Sequence, residues 1–276
     1  METHLTIGIP TCARPQAIKG CLDSLQKHLT VNHQIIVIDS AINDENLTLY
    51  KSIPHLKYLT FDSPIGPSEA RKLIIEKTET KYLLFLDDDN EVTPGTVESM
   101  LSYIEKNPHI DILGSVWREY GDFEKRAVGQ YFKFGQLNGK KTIYKDFLDF
   151  KKSQELELDS IKVDAVLATM LIQTKIFEQV QFDSRFDFFF ELFDFFMQCY
   201  QHKKNIHVLP TAIFEHKPLT YSSSTLRQKT HADIDKQKFI DKWELQIIGS
   251  HGFKSSKKSK EVSSSRFKFK NLLSRK

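Results

Sequence analysis

Tyr82-Leu83-Leu84-Phe85-Leu86-Asp87-Asp88-Asp89-Asn90 is the stretch that decides the fold. An apolar run stops abruptly in three carboxylates. The apolar part reads as a strand buried in a parallel sheet. Ligands of open α/β sheets bind just beyond the carboxyl ends of such strands. Three adjacent carboxylates repel one another, and a cation makes the arrangement favourable. Oxygen donors of this kind suit Mg2+ or Mn2+, and a divalent ion held there binds a diphosphate. The plainer alternative is a solvated loop whose Asp and Asn cap a helix starting near Thr93-Pro94.

Upstream, strand and helix signals alternate. Leu5 to Ile9 is a β-branched run that Pro10-Thr11 breaks, and a helix from Pro15 carries Ile18, Cys21, Leu22, Leu25 and Leu29 at helical spacing. Gln34 to Ile38 is a second strand ending at Asp39-Ser40, and a short helix spans Glu45 to Lys51. Leu56 to Phe61 is a third strand, Pro64 to Pro67 a turn, and Pro67 opens a helix with Ala70, Leu73 and Ile74 on one face. Downstream, Pro94 starts a helix with Val97, Met100, Leu101 and Ile104 in phase. This alternation predicts an α/β fold with a doubly wound, mostly parallel sheet. The second half is mixed. Asp111 to Trp117 reads as a strand, 118–160 shows few clean periods, and Val163 to Gln173 fits strand or helix. Phe182 to Gln198 becomes helical near Asp194, and Ile206 to Leu209 and Ile213 to His216 are strands on either side of Pro210.

The hydrophobic content of 40% and charged content of 27% are those of a globular chain large enough for a real core. Three cysteines, an odd number, argue against a disulfide scaffold and fit a reducing compartment. No signal peptide is read at the start and no run reaches transmembrane length, so a cytoplasmic location is expected. The net charge of +3 hides an asymmetry: residues 251–276 hold nine Lys or Arg and one acid, a charge of +8, which leaves −5 on 1–250. The Ser-rich basic tail fits two roles equally. It touches anionic lipid at the inner membrane face, with Phe267, Phe269, Leu272 and Leu273 inserting, or it is a disordered solubilising segment. The body shows no basic face for nucleic acid. Division into 1–110 (nucleotide half), 111–250 (acceptor half of the same domain) and 251–276 (tail) follows.

Five segments occur in order: Ile9-Pro-Thr-Cys-Ala-Arg-Pro15, Ile36-Val-Ile-Asp39, Ser68-Glu-Ala-Arg-Lys-Leu73, Phe85-Leu-Asp-Asp-Asp89 and Phe190-Glu-Leu-Phe-Asp-Phe-Phe196. Together they resemble glycosyltransferase family 2, the nucleotide-sugar transferases of the GT-A fold, over roughly residues 4 to 217. The resemblance implies that Pro10, Thr11 and Arg14 contact the nucleotide. It implies that Asp39 accepts the N3–H of uracil or thymine, and that Arg71 points toward the base and diphosphate. Asp87 to Asp89 is similar to the family's DXD motif, with Asp87 at the ribose, Asp88 assisting and Asp89 on Mn2+ or Mg2+. The segment Pro210 to His216 is similar to the family's closing element, which puts His216 near the metal or diphosphate.

The implied reaction is a metal-assisted inverting transfer, in which a carboxylate takes the proton of an acceptor hydroxyl as the nucleotide diphosphate leaves. Glu191 and Asp194 are the candidates, three residues apart and so on one helical face, inside an aromatic segment that raises their pKa values. Many family members carry Glu-Asp-x-Asp, and here Leu192 stands where the first Asp would be, so the base is Glu191, with Asp194 orienting the acceptor, or the reverse. Phe188 to Phe190 are expected against a sugar, and Arg118, Glu119, Tyr120 and the segment to Phe150 around the acceptor. The expected donor is a UDP-sugar, and the acceptor a glycan or lipid-linked hydroxyl in surface polysaccharide synthesis. A nucleotidyltransferase acting on a sugar phosphate is the alternative enzyme, although Pro10 to Pro15 lacks its glycine-rich loop. A catalytically inactive glycan- or lipid-binding protein is the alternative outside enzymes.

Overall fold

The computed structural model describes residues 4–12, 14–41, 43–63, 65–119, 127–217 and 224–247. The basic tail, Tyr120 and Pro64 lie outside the described residues. The first half runs β1 (Leu5–Thr11), α1 (Pro15–His28), β2 (His33–Asp39), α2 (Asp44–Ser52), β3 (Leu56–Thr60), α3 (Pro67–Glu76), β4 (Tyr82–Phe85), β5 (Asn90–Val92) and α4 (Thr96–Lys106). The second half runs β6 (Ile112–Glu119), β7 (Ala127–Leu137), β8 (Lys140–Asp149), α5 (Phe150–Glu155), β9 (Ile161–Val163), β10 (Ala165–Val166) and β11 (Met170–Gln173). A 3-10 turn (Thr174–Glu178), α6 (Glu191–Gln201), β12 (Ile206–His216), α7 (Ser224–Trp243) and β13 (Gln246–Ile247) follow.

One sheet joins both halves in the order β3-β2-β1-β4-β11-β6-β12-β5, with β9 beside β12. Strands β1 to β4 pair in parallel. Strand β11 enters antiparallel between β4 and β6, and β12 returns parallel to β6. A second sheet, β10-β7-β8-β13, packs beside it. The unbroken apolar run has a simple cause. Leu83 and Phe85 of β4 enter the core that includes Ala70 and Ile74 of α3, whereas Tyr82, Leu84 and Leu86 enter the opposite core with Ile18, Leu22 and Leu25 of α1. Both faces are covered, so no position along the run is open to a polar residue. Each fully buried aliphatic side chain here contributes about 1.5–3 kcal/mol.

Several boundaries depart from expectation. Pro10 does not end β1, which continues to Thr11 in register with β2. The carbonyl of Gly8 accepts from Leu86 and that of Thr11 from Ser40, so Pro10 faces the β4 side beyond the end of that pairing, where a missing N–H leaves no ladder bond unmade. Asn90 does not cap a helix; it begins β5, antiparallel to β12. Helix α4 starts at Thr96, after Gly95 takes a left-handed φ of 75°. The strands on either side of Pro210 are one strand, β12, whose register against β6 shifts between Val208 and Ile213 and so accommodates the proline. Helix α6 begins at Glu191, earlier than Asp194. Residues Val163 to Gln173 form short strands, and 127–149 form a long hairpin turned by Asn138 and Gly139, both left-handed (φ 51° and 75°). Cys12, Cys21 and Cys199 are free thiols. Among the described residues no helix is long and apolar enough to cross a membrane.

Candidate active site

The Asp cluster sits where β4 runs out, facing the β1–α1 connection. Parallel pairing of β1 with β4 brings Thr11 and Arg14 across from it. Asp88 is almost fully buried, taking Thr11 Oγ1 on Oδ2 at 2.6 Å and Arg14 Nη1 on Oδ1 at 2.6 Å. Burial pushes its carboxyl up to about 7 against the pull of Arg14 and Thr11. The other arm of Arg14 donates to Asp89 Oδ2 at 2.9 Å. Arg71, also buried, reaches from α3 to Asp87 Oδ1 and to Glu191 Oε1, at 3.2 Å each. The cation expected to reconcile three adjacent acids is therefore in part the protein's own. Two guanidiniums face four carboxylates, and negative charge is left over at the mouth.

Residue 216 pairs across the β5–β12 ladder with Asn90, next to Asp89. His216 Nε2 lies 3.7 Å from Asp89 Oδ1 and Nδ1 lies 3.5 Å from Glu119 Oε1, and the Trp117 ring stacks on the imidazole at 4.6 Å. An imidazole nitrogen and a carboxylate oxygen at this separation beside surplus negative charge fit Mn2+ or Mg2+. Among the described residues no group of three or more His, Cys, Asp or Glu is placed to hold a metal ion by itself.

Glu191 opens α6 directly after Phe190, whose φ of 65° puts an aromatic residue in the left-handed region. Such a conformation costs on the order of 1–3 kcal/mol and must be held by its surroundings. Here α7 holds it: buried Asp235 accepts the backbone N–H groups of Phe188 and Phe189 at 3.0 Å each, and Phe239 stacks on Phe193. On the other side Gly66 lies so close to Asp187 that a Cβ there would sit 2.2 Å from its carbonyl oxygen. Burial raises the Glu191 carboxyl, and Arg71 opposes the rise.

Two expected residues stand apart from the cleft. Asp194 is 0% exposed, and its carboxylate takes Trp243 Nε1 at 2.8 Å, Gln198 Nε2 at 2.8 Å and Lys242 Nζ at 2.9 Å. It faces α7, where Lys242 and Trp243 tie it to that helix. Burial raises this carboxyl too, against Lys242 and Trp243. Asp39 is also 0% exposed, with Asn46 Nδ2 at 2.6 Å and Tyr50 Oη at 2.8 Å both on Oδ2. Burial and the Asp39 charge push the Tyr50 phenol well up, so it stays a donor. Ser40 reaches the cleft wall and Asp39 stands behind it.

Apart from His216, the remaining expected residues line two abutting cavities. One, of about 230 Å³, is bounded by Pro10, Thr11, Arg14, Ser40 and Asp87 to Asp89. The other, of about 370 Å³, is bounded by Glu191, Phe188 to Phe190, Lys145 and Trp117. Arg71, Asp87 and Phe188 belong to both. Sequence reasoning set the segment that holds Lys145 around the acceptor without singling that residue out, and it missed Asp235 and the α7 anchors Lys242 and Trp243. The Asn138-Gly139 pair signalled the hairpin that carries Lys145; nothing local signalled the others.

A model of the family described as glycosyl transferase family 2 matches residues 6–180. An uncharacterized glycosyltransferase of Haemophilus influenzae is 26% identical over 109 residues, 40% of this chain and 37% of that one, so the match spans little more than a third of the relative. The crystal structure of Staphylococcus aureus TarS 1–349 in complex with UDP-GlcNAc superposes with a TM-score of 0.56 at 17% identity, over 81% of this chain and 61% of that one. That of GalNAc-T7 with UDP, GalNAc and Mn2+ superposes with a TM-score of 0.63 at 14% identity, over 89% and 52%. At such identities these likenesses speak for the fold, and the fold is GT-A. The ordered motifs, the cleft at the carboxyl edge of the sheet and the family match lead to one conclusion: this chain belongs to glycosyltransferase family 2.

Proposed function

We propose that the chain transfers a sugar from a UDP-sugar to an acceptor hydroxyl with inversion at the anomeric carbon. The observation that carries the reading is the shared wall: Arg71, Asp87 and Phe188 line both cavities, so a donor in one and an acceptor in the other meet at these residues. In this reading the diphosphate lies among Pro10, Thr11 and Arg14, with Asp87 and Asp88 on the ribose side and Asp39 supporting the nucleobase end from behind Ser40. Glu191 takes the proton of the acceptor hydroxyl as that oxygen attacks the anomeric carbon. The bond to the diphosphate oxygen breaks, and UDP leaves with the electron pair. Arg71 has two roles: it pulls the Glu191 carboxyl down against the rise that burial imposes, and it offsets charge on the leaving group. Asp89 and His216 would hold Mn2+ or Mg2+, which when bound supplies further charge compensation at the diphosphate. UDP-GlcNAc in the TarS structure, and UDP and Mn2+ in the GalNAc-T7 structure, support this choice of donor and ion. Surface glycan synthesis at the inner membrane face completes the reading, with a lipid-linked acceptor and the basic tail on anionic lipid. Unchanged vesicle partition after removal of residues 251–276 would remove the membrane part.

The test is UDP release from a panel of UDP-sugars with and without Mn2+. Glu191→Gln is expected to lower kcat by about 10²–10⁴-fold while leaving UDP affinity within about two-fold. UDP binding without turnover of any sugar would replace the enzyme reading with a binding protein.

A further inference from the structure

We propose that the acceptor carries an anionic group, a phosphate or a carboxylate, and that Lys145 binds it. The inference rests on the assignment of the larger cavity to the acceptor. Lys145 lies on β8 opposite Phe132 of β7 and projects into that cavity, which Gln130, Glu191 and Phe193 also line. Its Nζ is 4.5 Å from the centroid of the Phe193 ring. A ring face attracts an ammonium but does not satisfy its three N–H donors. Three lysines nearby have acids: Lys133 pairs with Asp146, Lys238 with Asp187 and Asp235, and Lys242 with Asp183 and Asp194. Among the described residues no carboxylate pairs with Lys145. Burial alone moves its ammonium down from the usual lysine range, with no opposing charge.

The cavity's own acids are already committed. Asp87 and Glu191 both hold Arg71 at 3.2 Å. A lysine stem lying on apolar surface with its head in water is the ordinary reading of a half-buried lysine. That reading serves the empty cavity and fails the filled one. A neutral acceptor seated against Phe188 to Phe190 expels the water around Lys145 and leaves a charge unpaired. An acceptor with a phosphate or carboxylate on the Lys145 side pairs it, and the pairing orients the hydroxyl at the other end toward Glu191. Lys145 is then a determinant of acceptor specificity that takes no part in proton transfer.

The experiment uses the full chain saturated with UDP, which occupies Arg14 and the diphosphate cavity. Glycerol 3-phosphate and glycerol, then glucuronate and glucose, are titrated as probes by ligand-observed NMR into the wild type, Lys145→Met and Lys145→Arg. Loss of one charge-assisted contact reads as about ten-fold or more in affinity. At least one anionic probe is expected to bind the wild type about ten-fold or more tightly than its neutral partner. That preference should vanish in Lys145→Met and persist in Lys145→Arg, with UDP affinity unchanged in all three. Preference for glycerol 3-phosphate over glucuronate identifies the group as phosphate, and the reverse as carboxylate. Equal anion binding in Lys145→Met, no anion binding by the wild type, or a parallel loss of UDP affinity overturns the proposal. Failure of the wild type itself to bind UDP overturns the donor reading instead.

Discussion

Asp194→Ala separates the two carboxylates that sequence spacing treats alike. Removing one partner of a buried ion pair costs about 3–5 kcal/mol. Lys242 keeps Asp183 at 2.8 Å and is 24% exposed, which reduces the ionic part to about 2 kcal/mol. The lost bonds from Trp243 Nε1 and Gln198 Nε2, both 2.8 Å, add about 0.5–1.5 kcal/mol each. The sum, about 3–5 kcal/mol, lowers the melting temperature by about 6–20 °C in a domain of this size. Urea unfolding measures the first quantity. UDP release well below the variant's melting point, normalised to folded protein, measures whether chemistry survives. The expected result is a large loss of stability with kcat within about five-fold of wild type, the opposite of Glu191→Gln. An unchanged unfolding midpoint with kcat down by about 10³-fold would make Asp194 the base and refute the assignment of Glu191.

Gly66→Ala puts a methyl 2.2 Å from the Asp187 carbonyl oxygen, and both partners are backbone-bound. It is expected to destabilise by about 1–3 kcal/mol and to slow UDP release by displacing the turn before Glu191; unchanged thermal stability would contradict this packing. Asp88 has a carboxyl pushed up to about 7, above the about 3.9 of an unfolded chain. The folded state therefore binds the extra proton, and the group's contribution falls as pH rises from about 4 to 7. The melting temperature of Asp88→Asn relative to wild type should climb through that window and level off above it; a flat difference counts against the shift. Asp89→Asn is expected to reduce the Mn2+-linked gain in UDP affinity by about ten-fold or more, and a gain equal to the wild type's removes Asp89 from the metal site.

The parallel half of the fold was legible because its signals are local. Pro15 and Pro67 mark helix starts, and the run from Tyr82 to Leu86 is apolar because both faces of β4 are covered. Pro10 misled because a proline tolerated at an open strand side looks the same in sequence as one that ends a strand. The loop acids and arginines were legible as a group through their resemblance to a family. Their partners were not. Glu191 faces Arg71 and Asp194 faces Lys242, and no period in the sequence tells those neighbours apart. Helix α7 went unread because it is polar along most of its length, and its purpose lies in contacts to residues about fifty positions earlier, such as Trp243 with Asp194. Strand β5, Asn90–Val92, is three residues long and is defined by the ladder it makes with β12 rather than by composition.

The turn that aims Glu191 is fastened at both ends by the last long helix of the described chain: Asp235 holds Phe188 and Phe189, and Lys242 and Trp243 hold Asp194. A ribosome completes the loops around Asp87 to Asp89 more than a hundred residues before it completes that fastening. Until α7 emerges and docks, an aromatic residue in left-handed geometry lacks the hydrogen bonds of Asp235, and Glu191 has no fixed aim. A nascent or C-terminally clipped chain can therefore form the loops around Asp87 to Asp89 before Glu191 is held in place.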